Sequence, residues 1–327
     1  MNYSKKKIGI LGSGKLGLIY SKILKKNGFK VYAASSSSKN SRSWKIFKKN
    51  NPGTLYKSNK EILKDPYCNC IISCLPHLIQ GRFFKDLADS DKNILIEKPF
   101  CFKSSVFKKI IQKNKKNLKN KFLAFNRREY DTVNILKKRI AKKDLKHIQI
   151  KISENIKKKT KNKSNEFKRL FPFFGSSAHI IDLLFYLFKK INVKKSYLDY
   201  DNQKKYFPSV YSLLEVENRI PATLIIEKEI SLKIGIEIAF KDDSLWSLSP
   251  IENLTVYRGY KVKKGNTKKN YSRYSQNIIF HKEEKSKFQP GLEKNCIKFV
   301  KNNMKKTDYN VYYNYLKFYE KIFKFTS

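Results

Sequence analysis

Short apolar runs alternate along the first third of the chain with longer stretches whose apolar residues recur at helical spacing. "KIGIL" (7–11) reads as a strand, and Leu16, Ile19, Tyr20, Ile23 and Leu24 then fall on one helical face. Asn27-Gly28 ends that helix, and "KVYAA" (30–34) is a second strand. Ser58 or Asn59 can cap a short helix over "KEILKD", and "CNCIISCLP" (68–76) is a buried strand. "HLIQGRFFKDLAD" (77–89) predicts a helix, "NILIEKP" (93–99) a strand, "KSSVFKKIIQKNKKNLK" (103–119) a helix and "KFLAF" (121–125) a strand. Strands and helices alternating at this spacing predict an α/β, doubly wound parallel sheet.

The pattern then changes. Residues 131–143 read as a helix, and "LKHIQIKISE" (145–154) as a strand entering a second domain. "AHIIDLLFYL" is helical. "SVYSLLEVEN", "ATLIIEKEI", "LKIGIEIAF" and "NLTVYRG" alternate apolar with polar residues, as in a largely antiparallel open sheet covered on one face by helices. Residues 155–171 read as a solvated loop and the polar stretch 262–290 as a long one, with closing helices over "GLEKNCIKFVKNN" and "NVYYNYLKFYEKIF". The expected division is residues 1–125, a doubly wound domain, and 126–327, an α+β domain.

Composition supports two cores: the chain has 327 residues, 40% hydrophobic and 14% aromatic. No run approaches the roughly 18 apolar residues of a membrane span. The opening "MNYSKKKIGI" has basic residues but no long apolar region, so no signal peptide is expected. Five cysteines, three of them in one apolar strand, suit reduced thiols and a cytoplasmic location. Neighbouring strand residues face opposite ways and the nearby histidine follows a proline, so "CNC" predicts no metal site. The formal charge of +45 raises nucleic acid as a partner. The lysines are spread over the whole chain, however, without a stripe or repeated motif. A solvated basic surface is the better reading, with no specific nucleic acid and no membrane as partners.

Candidate chemistry begins between the first strand and helix, at Gly12-x-Gly14-x-x-Gly17. The first glycine allows the tight turn, the second admits a pyrophosphate to the backbone, and the third lets helix and strand approach. Gly12, Ser13, Gly14, Lys15, Leu16 and Gly17 therefore predict a dinucleotide cradle on the helix N-terminus, as in a Rossmann domain. The acid that usually binds the ribose 2′-hydroxyl is missing. Ser35, Ser36, Ser37 and Ser38 stand there, followed by Lys39 and Arg42. A carboxylate would repel a 2′-phosphate whereas serines and cations can receive one, so NADP is preferred slightly over NAD, with Ser35, Ser36 and Arg42 as contacts. Ligands of such sheets bind beyond the carboxyl ends of the strands, which places Leu75, Pro76, His77, Glu97 and Lys98 at the same rim.

Together, the glycine fingerprint, "NKEILKDPYCNCIISCLPHL", "KNILIEKPF", "FLAFNRREY" and "GSSAHIIDLLFYL" resemble the Gfo/Idh/MocA oxidoreductases, the glucose–fructose oxidoreductase and inositol dehydrogenase family. The resemblance covers about the first 190 residues and is only general beyond residue 195. It implies that Lys98 reaches the substrate's reacting hydroxyl, that Glu97 seats cofactor or lysine, and that Pro99 fixes the turn. Asn126 would lie near the nicotinamide with Arg127 beside it. His179 would exchange the hydroxyl proton, with Asp182 on the same helical face. Gly175 departs from the family, many of whose dehydrogenases have aspartate four residues before the histidine. The departure implies a different substrate, a shifted partner such as Glu166 or Ser176, or lost activity; "FFGSSAH" looks closer to members linked to nucleotide-sugar and surface-polysaccharide metabolism. Lys157, Lys158, Lys159 or Arg169 could grip a substrate diphosphate. The expected function is NAD(P)-dependent hydride transfer to or from a sugar-like or nucleotide-sugar secondary alcohol or ketone, in a homo-oligomer paired through the C-terminal sheet. The alternative is a non-catalytic dinucleotide- or sugar-binding regulatory member.

Overall fold

The computed structural model describes residues 6–200, 207–263 and 271–324. The chain divides into two compact units, Met1–Glu129 with Lys287–Glu320, and Tyr130–Ser286 with Lys321–Phe323. The segment from Lys287 thus returns to the first unit, which a single cut at residue 125 does not express. Its apolar residues Leu292, Cys296, Phe299 and Val300 bury in the same cluster as Ile8, Ile10, Tyr20, Ile23 and Leu24.

The first unit is built from β1 (Ile8–Leu11), α1 (Lys15–Lys26), β2 (Val31–Ala34), α2 (Arg42–Asn50), β3 (Leu55–Tyr56), α3 (Asn59–Lys64), β4 (Cys70–Ser73), α4 (His77–Arg82), α5 (Phe84–Asp89), β5 (Asn93–Ile96), α6 (Ser104–Lys113) and β6 (Lys121–Leu123). The six strands are parallel in the order β3-β2-β1-β4-β5-β6. Ser58 caps α3 in a capping box with Glu61. In the first unit, Phe84, Phe100, Phe107, Phe125 and Tyr312 stack and tilt against one another. Each such buried ring contributes roughly 1.5–3 kcal/mol.

The second unit contains α7 (Asp131–Ile140), β7 (Leu145–Glu154), α8 (Ile156–Thr160), α9 (Asn165–Arg169), α10 (Ser176–Leu187), β8 (Ile191–Asp199), β9 (Ser209–Val216), β10 (Ile220–Lys228), β11 (Gly235–Phe240), β12 (Ser244–Leu248), β13 (Asn253–Lys263) and β14 (Arg273–Glu283). Its strands form one sheet in the order β14-β13-β12-β11-β7-β10-β9-β8, antiparallel except where β7 meets β10. Ile148, Ile150 and Ile152 of β7, with Ala222, Leu224 and Ile226 of β10, bury one face, and α10 packs on β7. Alternate residues on the other face, among them Tyr211 and Leu213, remain exposed. Helices α11 (Leu292–Val300) and α12 (Tyr309–Phe323) close the chain. Among the described residues, no helix is long and apolar enough to cross a membrane.

Several expectations are corrected. The helix over 77–89 breaks at Phe83 into α4 and α5, and that over 103–119 stops at Lys113. Residues 262–290 are not one loop: β13 runs to Lys263, β14 pairs with it, and 264–270 lie outside the described residues. Nearly every residue of β14 is exposed, so it lacks the alternation that marks a half-buried strand. Residues 155–171 likewise carry α8 and α9 rather than a bare loop, capped by Asn155 and Ser164.

Candidate active site

Register alone assembles the rim of the first sheet. Leu11 pairs with Ser73 and Ser73 with Ile96, so Gly12, Cys74 and Glu97 follow their strands side by side. The Cys74 amide donates to the Leu11 carbonyl at 2.9 Å and the Glu97 amide to Ser73 at 2.9 Å, extending the ladder by one residue.

Gly12 turns the chain at φ +101°, in the region that favours glycine. A Cβ on Gly17 would stand 2.0 Å from the Gly12 carbonyl oxygen, which is the close helix–strand approach the motif predicts. Gly14 is different: no atom lies within 4 Å of where its Cβ would be. It is also the N-cap of α1, with no side chain capping it and no acid in the first turn. The first amides of α1 are thus left to an anionic ligand across an open glycine, and a dinucleotide pyrophosphate fits this cradle. Ser13, Lys15 and Leu16 share the turn.

The serine run divides in two. Ser35 is buried, accepts from the Gly12 amide at 3.0 Å and donates to Asn59 Oδ1 at 2.5 Å, so its hydroxyl holds the glycine turn. Ser36 lies 2.7 Å from the Ser41 hydroxyl and 3.1 Å from that of Ser43. Ser41 caps α2, at whose first position Arg42 is exposed. This hydroxyl cluster beside an arginine lies beyond the end of β2. Ser41 and Ser43 were not singled out by the sequence pattern, because α2 itself was not.

The Glu-Lys-Pro turn is supported from within. Glu97 Oε1 accepts from the Tyr20 hydroxyl at 2.5 Å, and Oε2 from the Lys98 amide at 3.3 Å. Burial raises the Glu97 carboxyl above its ordinary range, opposed by the Tyr20 hydroxyl and the Lys98 charge. Burial, reinforced by the Glu97 charge, pushes the Tyr20 phenol well up, so Tyr20 stays protonated and donates. Lys98 is half-buried, and the Lys98–Pro99 peptide is cis. His77 is lowered to about 4, mainly by burial and then by the Lys98 charge, and is neutral at pH 7. Gln80 pins the Leu75–His77 turn: its Oε1 accepts from Ser73 Oγ at 2.9 Å and from the Leu75 amide at 3.0 Å. Tyr20 and Gln80 show in the sequence only as a member of an apolar helical face and a polar helix residue.

Asn126 follows β6, but its amide nitrogen donates to the Pro290 carbonyl at 2.8 Å, tying the 3₁₀ turn Asn126–Glu129 to the segment before α11. Arg127 is half-buried on the same turn. All five cysteines are free and buried, and burial raises their thiols, Cys70 to about 12. Among the described residues, no group of three or more His, Cys, Asp or Glu side chains could hold a metal ion.

In the second unit, α10 carries His179 and Ser176, both half-buried, and Asp182, which is buried. The helix is apolar around most of its circumference, and Ser177 and Tyr186 are its other polar side chains. Arg169 is exposed at the end of α9, with Glu166 half-buried one turn before it. Lys157, Lys158 and Lys159 are exposed on α8, with Lys159 over the Phe171 ring at 5.8 Å. A carboxylate does stand at Gly175: that of Glu154, at the end of β7.

The family described as oxidoreductase family, NAD-binding Rossmann fold (Gfo/Idh/MocA), matches residues 6–124. No curated protein sequence matches the chain. Among solved structures, a levoglucosan dehydrogenase in complex with NADH and levoglucosan superposes with TM-score 0.72 at 14% identity, covering 97% of this chain and 96% of that one. A UDP-N-acetylglucosamine 3-dehydrogenase from Acidithiobacillus ferrooxidans gives 0.71 at 11% identity, again covering 97% and 96%. A biliverdin reductase from Synechocystis, in complex with biliverdin and NADP+, gives 0.68 at 11% identity over 98% and 99%. At these identities the likeness is one of fold, and it spans both units. Residues 6–124, the dinucleotide-binding domain, match the Gfo/Idh/MocA oxidoreductase family and carry its NAD-binding Rossmann fold.

Proposed function

We propose that the chain is an NAD(P)-dependent dehydrogenase or reductase acting on a secondary alcohol or ketone of a sugar-like substrate, a nucleotide-sugar among them, in surface-polysaccharide sugar metabolism. The observation that carries this reading is Lys98, set beside the glycine cradle on a buried Glu97 that Tyr20 holds in place. A bound nicotinamide supplies or accepts the hydride at its C4. Lys98 presents a compact ammonium to the reacting oxygen, stabilising negative charge as it develops, and His179 exchanges the hydroxyl proton. The structures of a levoglucosan dehydrogenase and a UDP-N-acetylglucosamine 3-dehydrogenase, which share the fold, support the substrate class.

NADP is the preferred cofactor. The Ser36, Ser41 and Ser43 hydroxyls with Arg42 can receive a 2′-phosphate, and no carboxylate stands among them. Arg169 and the lysines of α8 are candidates for a substrate diphosphate. Buried, unpaired thiols suit a reducing, cytoplasmic setting, and the apolar open face of the second sheet suits a homo-oligomer. The test is fluorescence titration with NADPH and NADH at about 0.3 M salt, where diffuse phosphate attraction is screened, followed by turnover assays over sugars and nucleotide-sugars. Saturable binding, tighter for NADPH, and turnover abolished by Lys98→Ala are expected. Tighter NADH binding overturns the cofactor preference. Saturable dinucleotide binding with no turnover on any of these substrates favours the non-catalytic regulatory reading, and no binding at all removes the dehydrogenase reading.

A further inference from the structure

Helix α10 starts at Gly175, an N-cap that has no side chain to offer its first amides. Those amides need acceptors, since a helix leaves its first four N–H groups unpaired. The acceptor comes from another element. Glu154, the buried last residue of β7, sets Oε1 2.6 Å from the Ser177 amide and 2.8 Å from the Ser177 hydroxyl. A Cβ on Gly175 would stand 2.5 Å from Glu154 Oε1 and 2.7 Å from Oε2. A side chain at 175 and the Glu154 carboxylate therefore compete for one volume.

Only half of the carboxylate is used by the helix. Oε2 is enclosed and has no hydrogen-bond partner among the described residues. Lys228 Nζ is enclosed in the same way, and Lys228 is the register partner of Glu154 on β10, on the same helix-covered face. The α10 N-terminus and a lysine one strand away thus flank the enclosed carboxylate. His179 lies two residues beyond Ser177, so the group that fixes Ser177 also fixes the turn carrying the imidazole.

We propose that Glu154 is the positioning residue of the His179 turn: the carboxylate absent from position 175 is supplied from β7 and locks the start of α10 to the sheet. The role rests on the reading of His179 as the proton carrier. It predicts that the carboxylate can be moved back. Glu154→Ala should speed amide exchange at Ser177 by about ten- to a hundredfold, the loss of a charge-assisted hydrogen bond, and shift the His179 imidazole NMR signal. Gly175→Asp alone should do the same, because two carboxylates cannot share the volume. The double variant, Glu154→Ala with Gly175→Asp, should recover both the slow exchange and the His179 signal, and should restore kcat more than KM on a substrate found by the turnover screen. Glu154→Gln, which keeps an acceptor, should retain part of the protection and serves where Glu154→Ala does not fold. If the effects of the two single substitutions simply add, or if Glu154→Ala leaves exchange and the imidazole signal unchanged, the proposal fails. Exchange and imidazole measurements need no substrate, so they decide the role of Glu154 even if no turnover is found. Turnover that depends on Lys98 but ignores Glu154 would overturn the positioning role and leave the oxidoreductase reading standing.

Discussion

At the scale of single residues, the decisive feature of the first unit is a carboxylate kept out of water. Glu97 is buried and has one hydroxyl donor, Tyr20. Tyr20→Phe removes that donor without opening a cavity, leaving a buried carboxylate oxygen unsatisfied. A destabilisation of about 1–3 kcal/mol in denaturant unfolding is expected. Adding Glu97→Gln should recover part of the loss, because the pair is coupled; full additivity would mean that the contact does not matter. His77 gives a second prediction. Its folded pKa of about 4 lies below the ordinary value near 6.5. The unfolded chain therefore binds a proton in this window that the folded chain does not, and stability falls as pH drops from about 6.5 to about 4. His77→Gln should flatten that part of the wild-type pH–stability curve, visible in the difference between the two proteins. An unchanged difference across the window would show that His77 titrates normally.

At the scale of elements, the sequence reveals structure wherever an element has one wet face and one dry one. β7 keeps its predicted bounds because Ile148, Ile150 and Ile152 alternate with polar residues over its length. α2 is hidden because only Trp44 and Phe47 of its nine residues are buried in a lysine-rich segment. The Glu154–Gly175 contact is hidden for a different reason: it joins a strand end to a helix start, and no local pattern encodes such a meeting. Serines at the end of β2 were legible as a group, but only the structure separates Ser35, which braces Gly12, from Ser36. The glycines of the first turn carry the sharpest prediction at this scale. Gly17→Ala forces a methyl into the Gly12 backbone and should destabilise the protein by about 1–3 kcal/mol or more. Gly14→Ala meets no protein atom, so unfolding should shift by no more than about 0.5 kcal/mol. Its methyl nevertheless occupies the approach of a pyrophosphate, and NADPH affinity should fall at least tenfold. If Gly14→Ala bound NADPH as tightly as wild type, the cradle would lie elsewhere.

At the scale of the whole molecule, two properties pull against each other. The outer face of the second sheet exposes Tyr197, Tyr211 and Leu213, and the β13–β14 pair exposes Tyr260, Val262, Tyr274 and Ile278. Apolar area of this kind, gathered on one sheet, favours covering by a like surface. Against it stands the charge of +45, which every copy carries and which resists bringing two together. The balance makes a prediction about salt that differs in sign from that for the cofactor. Raising ionic strength from about 0.05 to about 0.5 M shortens the screening length severalfold. Repulsion between copies then weakens while apolar burial does not, so self-association in sedimentation equilibrium should strengthen. Dinucleotide binding, an attraction between opposite charges, should weaken over the same range. Leu213→Lys, on the exposed face of β9, should shift the equilibrium towards monomer at both salt concentrations without altering NADPH affinity. A protein that stays monomeric throughout, or one whose association ignores Leu213→Lys, would show that this face is not where copies meet.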